Sequence, residues 1–262
     1  MSLSIRILGC GSSGGVPRLG GENGAGNWGA CDPANSKNRR SRCSILVRQG
    51  SAKLLVDTSP DMREQLLAAR ISDLDGVLIT HDHADQLHGL DDLRPLTLLN
   101  RRRVNLWSDA RGLGGIRAKF GYCLETPPGS DYPPIVNAHE IPEPFREFEI
   151  AGIRVLAFGQ GHGNIRSLGF RFGPVAYSPD VDALGDDAFA ALEGVECWIV
   201  DALRYTPHPS HAHLERTLAW IARVRPRRAI LTNLHVDLDY ARLKGELPAG
   251  VEPAYDGMEL EF

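Results

Sequence analysis

Six apolar runs in this chain end on a carboxylate or an imidazole. The stretch "LLVDTSPD" leads to Asp57, and "GVLITHDHAD" leads to His81, His83 and Asp85. "VLAFGQGHG" ends at His162, "VAYSPD" at Asp180, "CWIVDALR" carries Asp201 and "AILTNLHVD" carries His235. Short apolar runs bounded by turn residues read as buried strands. Polar residues that follow different buried strands can converge on one sheet edge, where a rigid scaffold holds them together. That convergence constrains the fold more than any other feature of the chain.

The rest of the pattern supplies the layers. Strands are expected over 3–8, 43–48, 53–57, 76–80, 103–107, 153–158, 168–172, 175–178, 197–201 and 228–232, with a last pair at 251–255 and 258–262. Helices are expected over 60–70, 109–121, 186–193, 211–224 and 239–246. The first has Ser59 as N-cap, Pro60 at the first helical position and acidic Asp61 after it. Residues 9–30 are glycine-rich and read as a long loop without a Walker pattern, and the proline-rich 122–147 reads as irregular connection. Early strands pair through short turns, as the Gly-Ser turn of "LVRQGSAKLLV" shows, while later strands alternate with helices. The class is therefore α/β, a four-layer αββα sandwich of two packed sheets with helices outside, in one domain over 1–262.

Composition narrows the partners. No apolar run approaches the ~20 residues of a membrane span, and "MSLSIRILGCGSSGG" has no apolar segment behind a basic lead, so neither membrane insertion nor a signal peptide is expected. Five scattered cysteines, Cys10, Cys31, Cys43, Cys123 and Cys197, suit a reducing cytoplasm, and without a CxxC pair they do not form a cysteine-built zinc ribbon. A net charge of −4 argues against a generic nucleic-acid binder. The basic stretches "NRRSR" (38–42) and "NRRRV" (100–104) read first as solvated surface, and second as a grip on a small anionic substrate.

The histidines carry the chemistry. All but His139 fall at 81/83/88, 162, 208/211/213 and 235. An H-x-H turn lets two imidazoles face one cation, and a carboxylate two positions on can face a second. Imidazole with carboxylate suits zinc, manganese or iron rather than calcium. Asp57 and Asp201 read equally as turn residues and as groups that fix ligand histidines. His208 reads as a surface loop residue, and His213 as either a helix cap or a neighbour that orients His211.

"HDHAD", "GQGHGN", "AYSPDVD" and "LTNLHVD", in that order, resemble the metallo-β-lactamase fold of metallohydrolases. "LGCGSSGGVPRLG", "RRSRCS", "HGLDDLRPL", "SHAHLERTL" and "AYDGMEL" resemble most the PhnP group within it, the phosphoribosyl cyclic phosphate phosphodiesterases. The resemblance implies that His81, His83 and His162 hold one divalent metal, that Asp85 and His235 hold another, and that Asp180 bridges them. It places the acid/base histidine at His211, with Asp85 sharing in catalysis. It further implies hydrolysis of a small anionic phosphoester: the metals acidify a water that attacks phosphorus in line, and His211 protonates the departing oxygen. An RNA-processing nuclease resembling tRNase Z, and a non-catalytic accessory protein with a degraded second metal site, are the alternatives. A homodimer is compatible with this reading.

Three positions depart from the resemblance. Gln86 stands where the pattern has a metal-binding histidine. Asn233 follows "LT" where the pattern has its last histidine, so His235 is expected to reach in from two positions later, unless Asn233 itself contributes a weaker oxygen. Cys31 stands alone where the group often carries a cysteine cluster, so no structural zinc is expected there. At the Gln86 position, His88 could substitute, although two residues along a helix turn a side chain by about 200°. Gln86 could ligate through its amide oxygen, favouring manganese over zinc. Or the second site is weakly held, the arrangement preferred here.

Overall fold

A computed structural model describes residues 2–262. The first sheet gathers β1 (Leu3–Gly9), β2 (Ser44–Gln49), β3 (Ala52–Val56), β4 (Gly76–Leu78), β5 (Val104–Ser108) and β6 (Val136–Glu140). The second gathers β7 (Phe148–Ile150), β8 (Ile153–His162), β9 (Ile165–Phe172), β10 (Val175–Ser178), β11 (Cys197–Asp201), β12 (Arg228–Thr232) and β13 (Val251–Pro253). A last strand, β14 (Glu259–Glu261), returns to pair antiparallel with β1. The sheet orders are β14-β1-β2-β3-β4-β5-β6 and β13-β12-β11-β10-β9-β8-β7.

Period-two alternation explains why so many runs are continuously apolar: strands covered on both faces have no polar side to show. In β2, Ile45 and Val47 enter the core between the sheets, while Leu46 faces the outer layer. In β11, Ile199 faces inward and Trp198 and Val200 outward. Helices α1 (Met62–Ala68), α2 (Ala84–Leu87), α3 (Arg94–Asn100) and α4 (Ala110–Leu124) lie in the chain between strands of the first sheet; Met62, Leu66, Leu87 and Ile116 pack on its outer face. Helices α5 (Asp186–Ala191), α6 (Leu214–Val224) and α7 (Tyr240–Glu246) cover the second sheet through Ala188, Leu214, Ile221 and Leu243. A leucine, isoleucine or methionine fully buried in this way contributes about 1.5–3 kcal/mol of apolar transfer. The result is the expected four-layer αββα sandwich.

Local differences have local causes. The closing strands do not pair with each other: β13 joins β12 in parallel and β14 joins β1, one in each sheet. The expected irregular stretch 122–147 contains β6, which its flanking prolines concealed. Strand β8 runs on to His162 because Gly159 and Gly161 continue the ladder with β9. Opposite Phe158, Gly169 is required by space, since a Cβ there would run into the phenyl ring. The first helix starts at Met62 rather than Pro60, and Ser59 Oγ accepts from the Asp61 amide (3.2 Å) instead of capping the helix directly. Among the described residues no helix is long and apolar enough to cross a membrane.

Of the basic stretches, Arg39, Arg101, Arg102 and Arg103 are exposed, as expected of solvated surface, whereas Arg40 is framework. Arg40 is wholly buried, and its guanidinium donates to Leu238 O (2.7 Å), His235 O (3.3 Å) and Asn38 Oδ1 (3.2 Å). It ties the glycine-rich loop to the turn after β12. Arg42 pairs with Asp61 and Arg102 with Asp73. Removing Arg40 would orphan buried carbonyls at about 1–3 kcal/mol each. Arg40→Ala is therefore expected to lower the unfolding free energy by about 2–5 kcal/mol in denaturant titration. Arg40→Lys should recover little of the loss, because an ammonium lacks the planar fork.

Candidate metal centre

The parallel strands of both sheets deliver their C-terminal ends to one edge. Asp57 follows β3, His81 lies three residues beyond β4, and His162 ends β8. Asp180 follows β10, Asp201 ends β11, and Asn233 follows β12. The sheets are joined there by Leu168 N–H donating to Thr80 O (2.9 Å).

His81, His83 and His162 bring one ring nitrogen each to within 4.8 Å of the others. Their tautomers follow from their partners. Thr80 donates its amide (2.8 Å) and its hydroxyl (3.0 Å) to Asp57, so Thr80 Oγ1 accepts from His81 Nδ1–H (3.0 Å). His81 Nε2 is then an unprotonated lone pair, buried and without a hydrogen-bond partner. His162 Nδ1–H donates to Ser210 O (2.6 Å), which turns His162 Nε2 toward His83 Nδ1 at 3.2 Å. Burial, reinforced by His162 and His83, pushes His81 well below the usual imidazole range. Burial, with the charge of His211, lowers His162 to about 4. Neutral imidazole is the ligating form. A buried, orphaned nitrogen lone pair beside two more is a donor set that one divalent ion of the zinc or manganese type fits.

Asp57 is what makes His81 reliable. Its backbone lies in the left-handed region (φ 65°), where Asp is among the better tolerated residues. Its amide donates to Leu78 O (2.8 Å), fixing the carboxylate under Thr80.

On the second sheet, His211 Nδ1–H donates to Asp201 Oδ2 at 2.8 Å, and its ring stands 4.7 Å from that of His162. Burial opposes charge on His211, but the Asp201 carboxylate, by charge and hydrogen bond, and then Asp180 and Asp85 outweigh it and raise the ring to about 9. Burial pushes Asp201 up to about 6. Asp180 is 1% exposed, and burial raises its carboxyl well above the usual range.

Other expected site residues stand differently. The expected reach of His235 is corrected by the backbone: β12 ends at Thr232 and Asn233 turns left-handed (φ 60°), so two-residue periodicity no longer applies. His235 Nδ1 instead lies 3.1 Å from Asp237 Oδ2, outside both convergent groups. Asn233 occupies the place near Asp180 and donates toward its Oδ1 at 3.4 Å. Gln86 donates to Asp180 Oδ2 at 2.9 Å. His88 is exposed and packs against Phe120 with ring centroids 5.6 Å apart, so it does not substitute for the missing ligand. Asp85 is half-buried in the first turn of α2; it joins neither convergent group, although its charge acts on Asp57, Asp180 and His211. His213 is the N-cap residue of α6, with Nε2 4.0 Å from Glu215, and does not orient His211. His208, read as a surface residue, sits with its ring 5.1 Å from that of His211. Its place two residues before "SHAH" and beside Pro209 was the only signal for it.

Residues 52–233 match the family profile described as a beta-lactamase superfamily domain. The chain is 31% identical over 259 residues to the octanoyltransferase of Porphyromonas gingivalis, covering 97% of this chain and 50% of that protein. It thus spans half the length of that relative. It is 30% identical over 127 residues to the ribonuclease Z of Methanopyrus kandleri, 47% of this chain and 41% of that one. Among solved structures, a new diphosphatase from the PhnP family superposes with a TM-score of 0.90 at 30% identity, covering 100% of this chain and 98% of the other.

The Asp57–Thr80–His81 chain should set metal affinity. Asp57→Ala is expected to weaken binding of the first zinc or manganese ion by about 10–100-fold in chelator competition. Asp201→Asn, on the opposite wall, should leave that affinity within a few-fold.

Proposed function

The chain belongs to the β-lactamase superfamily, and from that premise we propose that it is a metal-dependent phosphoesterase hydrolysing a small cyclic phosphate, of the phosphoribosyl or nucleoside type. The observation that carries this reading is the pairing of His211 with buried Asp201 beside the three-imidazole group. A carbonyl substrate with a good leaving group has little use for a second, separately oriented histidine. A phosphoester whose departing group is a sugar alkoxide needs a proton donor at that oxygen. The likeness to the PhnP-family diphosphatase supports phosphorus chemistry.

His81, His83 and His162 would hold the ion. When bound, zinc or manganese supplies Lewis acidity toward a phosphoryl oxygen and toward water. The chain's own residues do the rest. Asp57 and Thr80 hold His81 in its ligating tautomer, and Ser210 O does the same for His162. Asp201 fixes the His211 ring, leaving Nε2–H as the proton available to the leaving oxygen. Arg111, whose charge acts on His81, and Arg204, whose charge acts on His208 beside His211, place positive potential on the flanks for an anionic substrate.

An RNA end is the second reading, favoured by the ribonuclease Z likeness and opposed by the net charge of −4. A panel of cyclic phosphates, linear phosphodiesters, diphosphates and an RNA 3′ extension separates them. Cyclic phosphate is expected to be the best substrate by kcat/KM, with activity lost on chelation and restored by zinc or manganese. His211→Ala should lower kcat about 10²–10⁴-fold with metal content unchanged. Undiminished turnover in His211→Ala would remove its acid role, and absence of phosphoester hydrolysis across the panel would overturn the function.

A further inference from the structure

We propose that this centre is built for one metal ion, and that the side-chain amides of Gln86 and Asn233 close the position that a second ion of the fold family would take. The inference rests on the metal-dependent reading above and concerns the number of ions.

Asp180, the expected bridge between two ions, is already engaged on both oxygens. Gln86 Nε2 donates to Oδ2 at 2.9 Å, and Asn233 Nδ2 lies 3.4 Å from Oδ1. The atoms that face it are Nε2 of Gln86 and Nδ2 of Asn233, so each amide turns its NH₂ toward the carboxyl group. Asn233 Nδ2 also donates to Pro179 O at 2.9 Å. Rotating that amide to offer oxygen to a cation would set oxygen against the Pro179 carbonyl. Gln86 Oε1 is correspondingly turned away from Asp180 and is left buried without a partner.

The other donors do not rebuild a site. His88 packs on Phe120 at the surface, and His235 is held by Asp237. His162, Asp180 and His211 form a second convergent group. However, the His211 nitrogen nearest Asp180, Nδ1 at 3.9 Å, carries the proton given to Asp201, so it offers a cation no lone pair. Asp85 and the turned-away Gln86 Oε1 remain, and two oxygen donors without an imidazole do not make a zinc site. The two amides stand at the two positions where the resemblance wants histidines, and both donate to the same carboxylate.

The test is metal stoichiometry. Metal-free protein is loaded with zinc or manganese at micromolar free metal, desalted, and measured by elemental analysis and native mass spectrometry. One ion per chain is expected, and none for His81→Ala. The double variant Gln86→His, Asn233→His is expected to take up a second ion. Two ions per wild-type chain would overturn this inference and leave the phosphoesterase reading standing. No ion at all would overturn both. A folded double variant that stays at one ion would overturn the assignment of the closure to these amides. Should that variant fail to fold, electron paramagnetic resonance of the manganese-loaded wild type decides: an isolated six-line spectrum is expected, and an exchange-coupled pair would overturn the proposal.

Discussion

Two ring protons determine what this edge of the sandwich can do. Thr80 takes the Nδ1–H of His81 because its own hydroxyl proton is spent on Asp57, and Ser210 O takes the Nδ1–H of His162. Were either proton on the other nitrogen, an N–H would point into the centre and repel a cation. The chain of cause runs back to the strand ladder: β3 ends beside β4, Asp57 donates its amide to Leu78 O, and its left-handed backbone sets the carboxylate under Thr80. The cost is a buried lone pair on His81 Nε2 without a partner, about 1–3 kcal/mol for such a group. A bound ion offsets that cost, which couples metal occupancy to the stability of the fold.

The opposite wall follows the same logic from the second sheet. Asp201 is the last residue of β11, and its Oδ2 accepts both Val181 N–H (3.2 Å) and His211 Nδ1–H (2.8 Å). Its backbone carbonyl accepts from Thr217 Oγ1 (2.6 Å), which seats α6 against the strand end. His211 therefore stands on a loop but is positioned by a buried strand and a packed helix. A side chain so held keeps its orientation when a substrate arrives.

Much of this was legible in the residues. Apolar runs ending on Asp or His located the strand ends, and the strand ends located the edge. What was not legible lay where a backbone left regular geometry. The period-two rule placed His235 on the same face as Asn233, and the left-handed turn at Asn233 cancelled it. Strand β6 hid among prolines, and the extension of β8 hid behind Gly159 and Gly161, because low strand propensity carries no information about ladder pairing. The role of Arg40 was hidden in a basic stretch: sequence shows a charge, and only tertiary packing shows that it is buried. His208 was missed because proximity to His211 in space follows from the conformation of a proline-flanked loop.

The exchange of imidazole for amide at two positions also changes what Asp180 is for. A histidine at 86 or 233 would offer a lone pair to a cation shared with this carboxylate, whereas Gln86 and Asn233 offer N–H to the carboxylate itself. Changing one position alone would leave a buried oxygen of Asp180 without its partner, at about 1–3 kcal/mol, so the two exchanges are energetically coupled. Gln86 belongs to α2, packed on the first sheet, and Asn233 follows β12 of the second. Asp180 follows β10 of that second sheet, so the Gln86 amide is the one of the two that crosses the seam between the sheets.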